Sequence, residues 1–497
     1  MRPKNQEPNP YDAEEGVDKV IKDMPDICGN EDEIEQVMSH TRDDLYIKYS
    51  DLAIDQAKSA FGIALHMHQP TIPASSDDLA AAELISNLQF MMEHQDMGDN
   101  HNAPVFLWCY SRMSDFVRQL CENGKDPRAM LDYSGNLLWG LKQMGEEKVI
   151  DNLKKVACDE AYYGNIEWLG TMWSHAVVSS TPVPDIKLHI RAWQEHFASV
   201  FGLEALRRVK GFSPPEMHLP IHPDVCHAYV NALNECGYEW LMVQEHTIEN
   251  VDGSGFERPY LPYRLIAKNS LGEVAETTAL VKTKGSDTKL VGQMQPYYEA
   301  QTRDREAYGG RDVVPYVFQI ADGENGGVMM NEFPRKYREV VGLASGSDVP
   351  LMNVSEYLEC LADLGVKTSD YPELRPVFQG RIWERMQPGD GQERLAQVIE
   401  GLKQEDQRFH MDGGSWTNDL SWVRGYEDVL SAMEASSAEF DRVINKARMT
   451  TGDPRYRNAL FHLLASQTSC YRYWGQGQWT EYGREICRRT EAILSHG

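Results

Sequence analysis

A largely apolar segment that stops abruptly on acids and glycines constrains the fold of this chain most strongly. Residues 317–321 (VFQIA) are followed by Asp322 and Glu324, and then by Gly326 and Gly327. A short run of this kind is typical of a buried parallel strand. Polar residues at the carboxyl end of such strands form the mouth of an α/β barrel, where active sites lie. The segment therefore predicts a barrel strand with candidate site residues at its end.

Two other apolar segments end in polar side chains in the same way. Residues 61–66 end on His66, and His68 follows two places later. Residues 210–212 lead through two prolines to Glu216. Because the carboxyl ends of parallel barrel strands meet at one mouth, we expect these side chains and the two acids to form one active site.

Strand and helix patterns alternate over most of the chain, as an α/β barrel requires. The predicted strands are 61–66, 104–110, 163–169, 210–212, 240–243, 290–293 and 316–320. The predicted helices are 114–121, 185–201 and 223–236, followed by 395–402 and 429–447, where apolar residues recur near the helical period. We predict an acidic extension over residues 1–55 that wraps the barrel or is partly disordered, a barrel over 56–349 and a mostly helical domain over 350–497.

Composition narrows the partners and the compartment. The net charge of −27 argues against nucleic acid and anionic membranes, whose phosphates need a basic surface, whereas a neutral polysaccharide is indifferent to it. The 9 cysteines are scattered, odd in number and without a C-x-x-C pair, as in a reducing compartment. Residues 1–6 lack the apolar core of a signal peptide, and no run of about 18 apolar residues occurs. We therefore expect a cytoplasmic protein.

Five segments occur in an order and at a spacing that resemble family 57 of the glycoside hydrolases. They are His68-Gln69-Pro70, Gly164-Asn165-Ile166-Glu167 with the later Ser174-His175, Pro215-Glu216, Asp322 and Glu324 with Glu332, and the aromatic segment that ends at Tyr473-Trp474-Gly475. The resemblance implies an incomplete (β/α)7-type barrel with a helical C-terminal domain. It also implies an enzyme of the α-amylase, 4-α-glucanotransferase or branching type that acts on α-linked glucans or maltooligosaccharides.

The resemblance assigns roles to the two carboxylates at the predicted mouth. Glycoside cleavage with retention needs a carboxylate that attacks the sugar and an acid that protonates the leaving oxygen, about 5 to 5.5 Å apart. By resemblance Glu216 is the nucleophile and Asp322 the general acid/base, although the residues alone do not say which is which. We expect their carboxyl groups to lie about 5 to 7 Å apart.

The remaining candidates are predicted to bind the sugar. His66 and His68 alternate along a strand, so both point to one side, and the resemblance implies that they hydrogen-bond hydroxyls. We expect Glu167 and His175 to do the same. Trp168 and Trp474 are candidates for stacking on pyranose rings. Glu324 is expected to raise the pKa of Asp322 through its like charge, which suits proton donation. No cofactor and no metal are expected.

Two alternatives remain open at this stage. An H-x-H pair can bind zinc, so His66 and His68, with a third ligand from His218, His222 or His227, would suit a metal-dependent carbohydrate deacetylase or amidohydrolase. The family also has aromatic residues before its third-region glutamate and after its D-x-E, where this chain has Ser213 and residues 326–330 (GGVMM). That loss of stacking surface would suit a glucan-binding protein with a degenerate site. The sequence leaves hydrolysis versus transglycosylation, and the oligomeric state, open.

Overall fold

The structure is a computed structural model that describes residues 24–39, 44–74, 78–283, 288–308, 310–324, 330–414, 421, 423–473 and 477–495. Its central feature is a closed ring of seven parallel strands, numbered here as barrel strands. They are β1 Ala60–Met67, β2 Ala129–Tyr133, β3 Ile166–Leu169, β4 Gly211–Phe212, β5 Trp240–Gln244, β6 Val274–Lys282 and β7 Tyr316–Asp322.

Each barrel strand pairs in parallel with the next one along the chain, and β7 returns to β1. The ring closes between β3 and β4 through a single bridge between Gly170 and Phe212. There the Gly170 N–H donates to the Gly211 carbonyl at 2.9 Å, and the Ser213 N–H donates to the Gly170 carbonyl at 2.8 Å. The predicted (β/α)7-type barrel is therefore confirmed.

Two glycines allow this closure. A Cβ atom on Gly170 would lie 2.1 Å from the Tyr238 hydroxyl, and one on Gly211 would lie 2.0 Å from the Trp240 ring. Both aromatic side chains are buried, so neither ring has free space to move into. The barrel closes because two aromatic rings pack directly against backbone that carries no side chain.

Further strands lie outside the ring. Tyr263–Lys268 pairs antiparallel with β6, and the sheet continues through Glu373–Pro376 to Ile248–Asn250. Two short hairpins pair Thr71–Pro73 with Leu84–Ser86 and Glu306–Tyr308 with Arg311–Val313.

The α-helices of the described residues surround the ring and make up most of the C-terminal part. They are Glu31–Met38, Asn87–Glu93, Ala103–Glu122, Gly135–Gln143, Glu147–Ala157, Val183–Phe201, Leu203–Arg207, Pro223–Glu235, Thr288–Gly292, Gln295–Ala300, Phe333–Ala344, Val354–Asp363, Gln379–Trp383, Gly391–Glu405, Tyr426–Ala447, Pro454–Ser466, Ser469–Tyr473 and Gln478–Ser495. Within the described ranges, no helix is both long and apolar enough to cross a membrane.

The C-terminal helices share one apolar core with the barrel. Buried residues of Tyr426–Ala447, Pro454–Ser466 and Gln478–Ser495 belong to the same cluster as those of β1 and β7. The Tyr471 hydroxyl donates to the Thr71 carbonyl at 3.0 Å, just beyond the end of β1. The helical part is thus packed directly beside the mouth of the barrel.

Two predicted strands are helices in the structure. Residues 104–110 lie in the helix Ala103–Glu122. Pro104 is in the first turn of this helix, where a proline is tolerated because the N–H that it lacks would have no partner within the helix. The second barrel strand is instead Ala129–Tyr133. Residues 290–292 of the other predicted strand lie in the helix Thr288–Gly292. The barrel strand before this helix is Val274–Lys282. Both apolar runs were too short for their periodicity to separate a strand from a buried helix.

The proposed domain boundaries stay predictions. Of the predicted extension, residues 24–39 and 44–55 are described, and the N–H groups of Leu45, Tyr46 and Ile47 all donate to the Glu359 carboxylate. On the other side of the second boundary, Leu351 still bridges to Phe61 of β1. The extension therefore contacts the predicted C-terminal domain through Glu359, and it also contacts the barrel range, where the Tyr46 hydroxyl donates to the Arg208 carbonyl at 2.7 Å.

Candidate active site

A cavity of about 490 Å³ opens at the mouth of the barrel, where the carboxyl ends of the strands meet. It is of the size expected for a small-ligand pocket. Its polar lining residues are His66, His68, Gln69, Asp132, His175, Ser213, Glu216, Gln244, Lys282, Thr288, Asp322, Glu324 and Ser469. Its apolar lining residues are Phe106, Pro214, Met217, Ile320, Ala321 and Cys470.

Three residues form a row across neighbouring strands at this mouth. His66 on β1 is in register with Asp132 on β2 and with Asp322 on β7. The Nδ1 atom of His66 lies 3.0 Å from Oδ2 of Asp132. The turn after β7 is fixed by the Gly323 N–H, which donates to the His66 carbonyl at 2.8 Å. Strand register therefore places one imidazole between two carboxyl groups.

The charges in this row shift one another's titration. Burial by itself lowers the pKa of His66, but the hydrogen-bonded Asp132 carboxylate, aided by the carboxyls after β7, raises that pKa to about 10. Burial raises the pKa of Glu324 to about 8, with a further contribution from Asp322. Asp322 is exposed to the open cavity, yet desolvation by the surrounding protein raises its pKa, although the charge on His66 opposes that rise. The site therefore combines a cationic imidazole with carboxyl groups that hold protons above their ordinary range.

The three histidines at the mouth are stacked. The ring centroids of His66 and His175 are 4.2 Å apart, and those of His68 and His175 are 4.5 Å apart. Burial, together with the positive charge on His66, holds the pKa of both His68 and His175 well below the ordinary value. His68 is hydrogen-bonded at 2.7 Å to Ser134 and at 3.1 Å to Thr468. One charged imidazole thus lies beside two neutral ones.

Glu216 reaches the cavity from the loop that follows β4. Two prolines precede it, and its own φ of 59° lies in the left-handed region that non-glycine residues seldom adopt. Its Oε1 atom lies 3.8 Å from Nδ1 of His175, which also has a φ of 59°. Glu216 and His175 are far apart in the sequence but adjacent in space, and both have strained backbone. Such strain is common at functional sites, where the surrounding structure holds it in place.

The C-terminal part of the chain contributes to the wall of the cavity. Thr468 forms a bridge with Ala176, and the Ser469 N–H donates to the His175 carbonyl at 3.1 Å. The Ser469 hydroxyl is hydrogen-bonded to Nδ1 of His175 at 2.7 Å. The helical part therefore orients a histidine that contacts the Glu216 carboxylate.

Glu167 and Trp168, both predicted to bind sugar, do not line the cavity. Glu167 is in register with Met130, two residues before the mouth, and its carboxylate accepts hydrogen bonds from the N–H and hydroxyl of Ser355. Trp168 points to the other side of β3, where its ring packs against Phe197 of the surrounding helix. The prediction that both lie at the cavity was wrong, because Trp168 points outwards from the barrel and Glu167 points inwards two residues below the mouth.

Several candidates fall outside the cavity or outside the described residues. Trp474 lies outside the described residues, as do residues 325–329. His218 is fully buried and bonds Ser179 at 2.6 Å, so the histidine cluster of the metal hypothesis does not meet His66 and His68 at the cavity. Across the described ranges, no three His, Cys, Asp or Glu side chains gather as a metal site requires.

The sequence interpretation missed Asp132. Its signal was present, because Ala129–Tyr133 (AMLDY) is a short apolar run that ends on an acid and is followed by Ser134-Gly135. The more apolar residues 104–110 predict the second strand in its place, but in the structure they are helical. The sequence interpretation also missed Gln244 and Lys282, which line the cavity. Each is the last residue of its strand, but no recognisable motif surrounds it.

Comparison with known proteins identifies the fold. No protein-family model and no curated protein sequence match the chain. The GH57-type branching enzyme from the hyperthermophilic archaeon Pyrococcus horikoshii superposes with a TM-score of 0.54 at 10% identity, over 88% of this chain and 89% of that one. The alpha-amylase AmyC from Thermotoga maritima superposes with a TM-score of 0.51 at 10% identity, over 88% and 93%.

The 4-alpha-glucanotransferase from Thermococcus litoralis gives a TM-score of 0.51 at 15% identity, over 87% of this chain. The match spans 57% of that longer chain, so this protein is similar to little more than half of it. The predicted resemblance is therefore confirmed at the level of the fold, which is that of the GH57 enzymes. At these identities the likeness shows the architecture, and the chemistry depends on the residues at the site.

Proposed function

We propose that this protein is a retaining enzyme that cleaves α-linked glucans and transfers the glycosyl group to water or to a sugar hydroxyl. The observation that carries the proposal is that Glu216 and Asp322 line one cavity from β4 and β7, which lie across the seven-stranded ring from each other. Two carboxyl groups on opposite sides of a sugar are what glycoside cleavage needs. The fold shared with GH57 enzymes supports this reading.

Glu216 suits the role of nucleophile. In the first step its carboxylate attacks the anomeric carbon, and a covalent bond to the sugar forms as the bond to the leaving oxygen breaks. The left-handed backbone of Glu216 and its contact with His175 hold the carboxylate in one orientation. Orientation of this kind lowers the entropic part of the barrier.

Asp322 suits the role of general acid and base. It gives its proton to the leaving oxygen in the first step and takes one from the incoming water or hydroxyl in the second. Desolvation by the cavity walls raises the pKa of Asp322, and the pKa of the neighbouring Glu324 carboxyl is raised to about 8. A raised pKa favours the protonated form of Asp322, which is the form that a general acid uses in the first step.

The cavity wall offers few aromatic planes to stack on pyranose rings. Among the described lining residues, Phe106 is the one Phe, Tyr or Trp, and the other planar rings belong to the histidines. Charged and hydrogen-bonding groups dominate instead. We infer that the site recognises sugar hydroxyls near the scissile bond through His66 and His175, because both ring nitrogens of His68 are hydrogen-bonded to Ser134 and Thr468.

The test is product analysis after incubation with maltooligosaccharides and longer α-glucans, comparing wild type with Glu216→Gln. The amide keeps the shape of the side chain but cannot act as a nucleophile, so turnover should be abolished while glucan binding remains. Glu235→Gln, a half-exposed carboxylate on a surface helix, is the matched control and should keep wild-type turnover. If wild type converts no glycoside but binds glucan, the protein is a binding protein. Wild-type activity in Glu216→Gln would refute the assignment of the nucleophile.

A further inference from the structure

Asp132 is a buried acid at the cavity that the proposed reaction does not yet use. Its side chain is 1% exposed, and its Oδ2 lies 3.0 Å from Nδ1 of His66. Its Oδ1 is buried and has no hydrogen-bond partner among the described residues. Burying a carboxylate is costly unless it is paired, so its contact with His66 is the interaction that holds it there.

The hydrogen bond defines how His66 carries its hydrogen atoms. A carboxylate only accepts hydrogen bonds, so Nδ1 of His66 must carry the hydrogen that Asp132 accepts. The tautomer of a histidine is set in this way by the bond that one ring nitrogen makes, and the second nitrogen is left for another role. Nε2 is therefore the atom through which His66 acts on the cavity.

Resting on the function proposed above, we propose that Asp132 is a positioning residue of the reaction. It fixes the hydrogen on Nδ1 of His66 and keeps the ring as an imidazolium beside the Asp322 and Glu324 carboxyls. The in-register row across β2, β1 and β7 supports this, because all three strands are rigid elements of one ring. Support from a rigid second residue is how precise site geometry is usually maintained.

The imidazolium has a definite effect on the acid. The titratable groups that face His66 are Asp132, His68, His175, Asp322 and Glu324. Burial and the two neutral histidines do not favour the charged form of His66, whereas the neighbouring carboxylates stabilise it. The charge on His66 opposes the rise that desolvation causes in the pKa of Asp322, which makes it easier for this acid to give its proton to the leaving oxygen.

The first test needs no substrate. Protein labelled with ¹⁵N at its 15 histidines is titrated by NMR from pH 6 to pH 9, and the His66 signal is identified by its loss in His66→Gln. In wild type, His66 should stay doubly protonated from pH 6 to about pH 8.5. A wild-type His66 that titrates near pH 6.5 would overturn the proposal, whether or not the protein turns over any glycoside. In Asp132→Asn, His66 should lose one to three pKa units, roughly the effect of a close opposite charge, and titrate within this range.

The second test separates positioning from a direct role. Asp132→Asn should lower kcat on the order of 10²-fold, the scale of a general acid/base defect, with little change in KM. The double variant with His66→Gln should be no slower than His66→Gln alone, because residues that act as a unit are not additive. Losses that multiply in the double variant would refute the idea that Asp132 acts through His66.

A matched control distinguishes this role from a structural one. Glu167→Gln removes an equally buried carboxylate on the neighbouring strand β3, away from the mouth. It should leave the His66 titration and the pH profile of kcat unchanged. If Asp132→Asn does not fold, the wild-type titration and His66→Gln still decide the question. If wild type proves inactive on all glycosides, the proposed function fails while the NMR result continues to test the Asp132–His66 pair.

Discussion

Glu167→Gln should make the protein less sensitive to rising pH. The carboxyl group of Glu167 is fully buried inside the barrel, two residues below the mouth. Its partner, Ser355, lies in the first turn of Val354–Asp363 and supplies both the N–H, at 3.1 Å, and the hydroxyl. A glutamine has the shape of the protonated acid but cannot ionise.

The magnitude follows from the difference in pKa between the folded and unfolded chain. Burial, opposed by the two hydrogen bonds from Ser355, raises the pKa of Glu167 from its ordinary 4.5 to about 7. Between these values the folded protein holds a proton that the unfolded chain has lost, so the free energy of unfolding falls as pH rises. Between pH 5 and pH 8 this group should cost the wild type about 2.5 kcal/mol, at 1.36 kcal/mol for each pKa unit.

The assay is urea unfolding of wild type and Glu167→Gln at pH 5 and pH 8. The free energy of unfolding should fall about 2.5 kcal/mol more in wild type than in the variant over this range. Glu393→Gln, which removes an exposed carboxylate, should follow wild type at both pH values. Equal pH dependence in wild type and Glu167→Gln would refute the reasoning, because it would mean that Glu167 ionises in the folded protein as it does in water.

Two further predictions concern the acid and the closure of the barrel. Asp322→Asn should nearly stop turnover of ordinary glucans but still release a burst of leaving group from an activated glycoside, which needs little protonation; rapid-quench kinetics would measure it, and absence of a burst would argue against Asp322 as the acid. Gly211→Ala should lower the free energy of unfolding by about 1 to 3 kcal/mol or more, since its Cβ would meet the Trp240 ring at 2.0 Å; a urea midpoint equal to that of wild type would contradict this.

The position of the two proposed catalytic acids could be predicted from the sequence because strand ends carry a local signal. The apolar run before Asp322 and the short run before Glu216 are both barrel strands in the structure, and parallel strands bring their carboxyl ends together. His66, His68 and His175 reached the cavity for the same reason. The order of motifs and the spacing of apolar residues are local features of the sequence, so they can be seen without the structure.

Other features depended on contacts between residues far apart in the chain. The apolar run at 104–110 is compatible with a strand or a helix, and packing of one face of Ala103–Glu122 decided for the helix. The same decision shifted the second strand to Ala129–Tyr133 and so brought Asp132 to His66. Register, which no local pattern encodes across so long a connection, determined that contact.

The sequence by itself determined a barrel with acids and histidines at its mouth. This was possible because the alternation of strand and helix patterns, and the polar residues at strand ends, are local features of the sequence. Tertiary structure alone decided that Glu167 lies two residues short of that mouth and that Ser469, 294 residues beyond His175, completes the site. It also decided the charge on His66, because a pKa depends on burial and on the carboxylates that strand register places nearby.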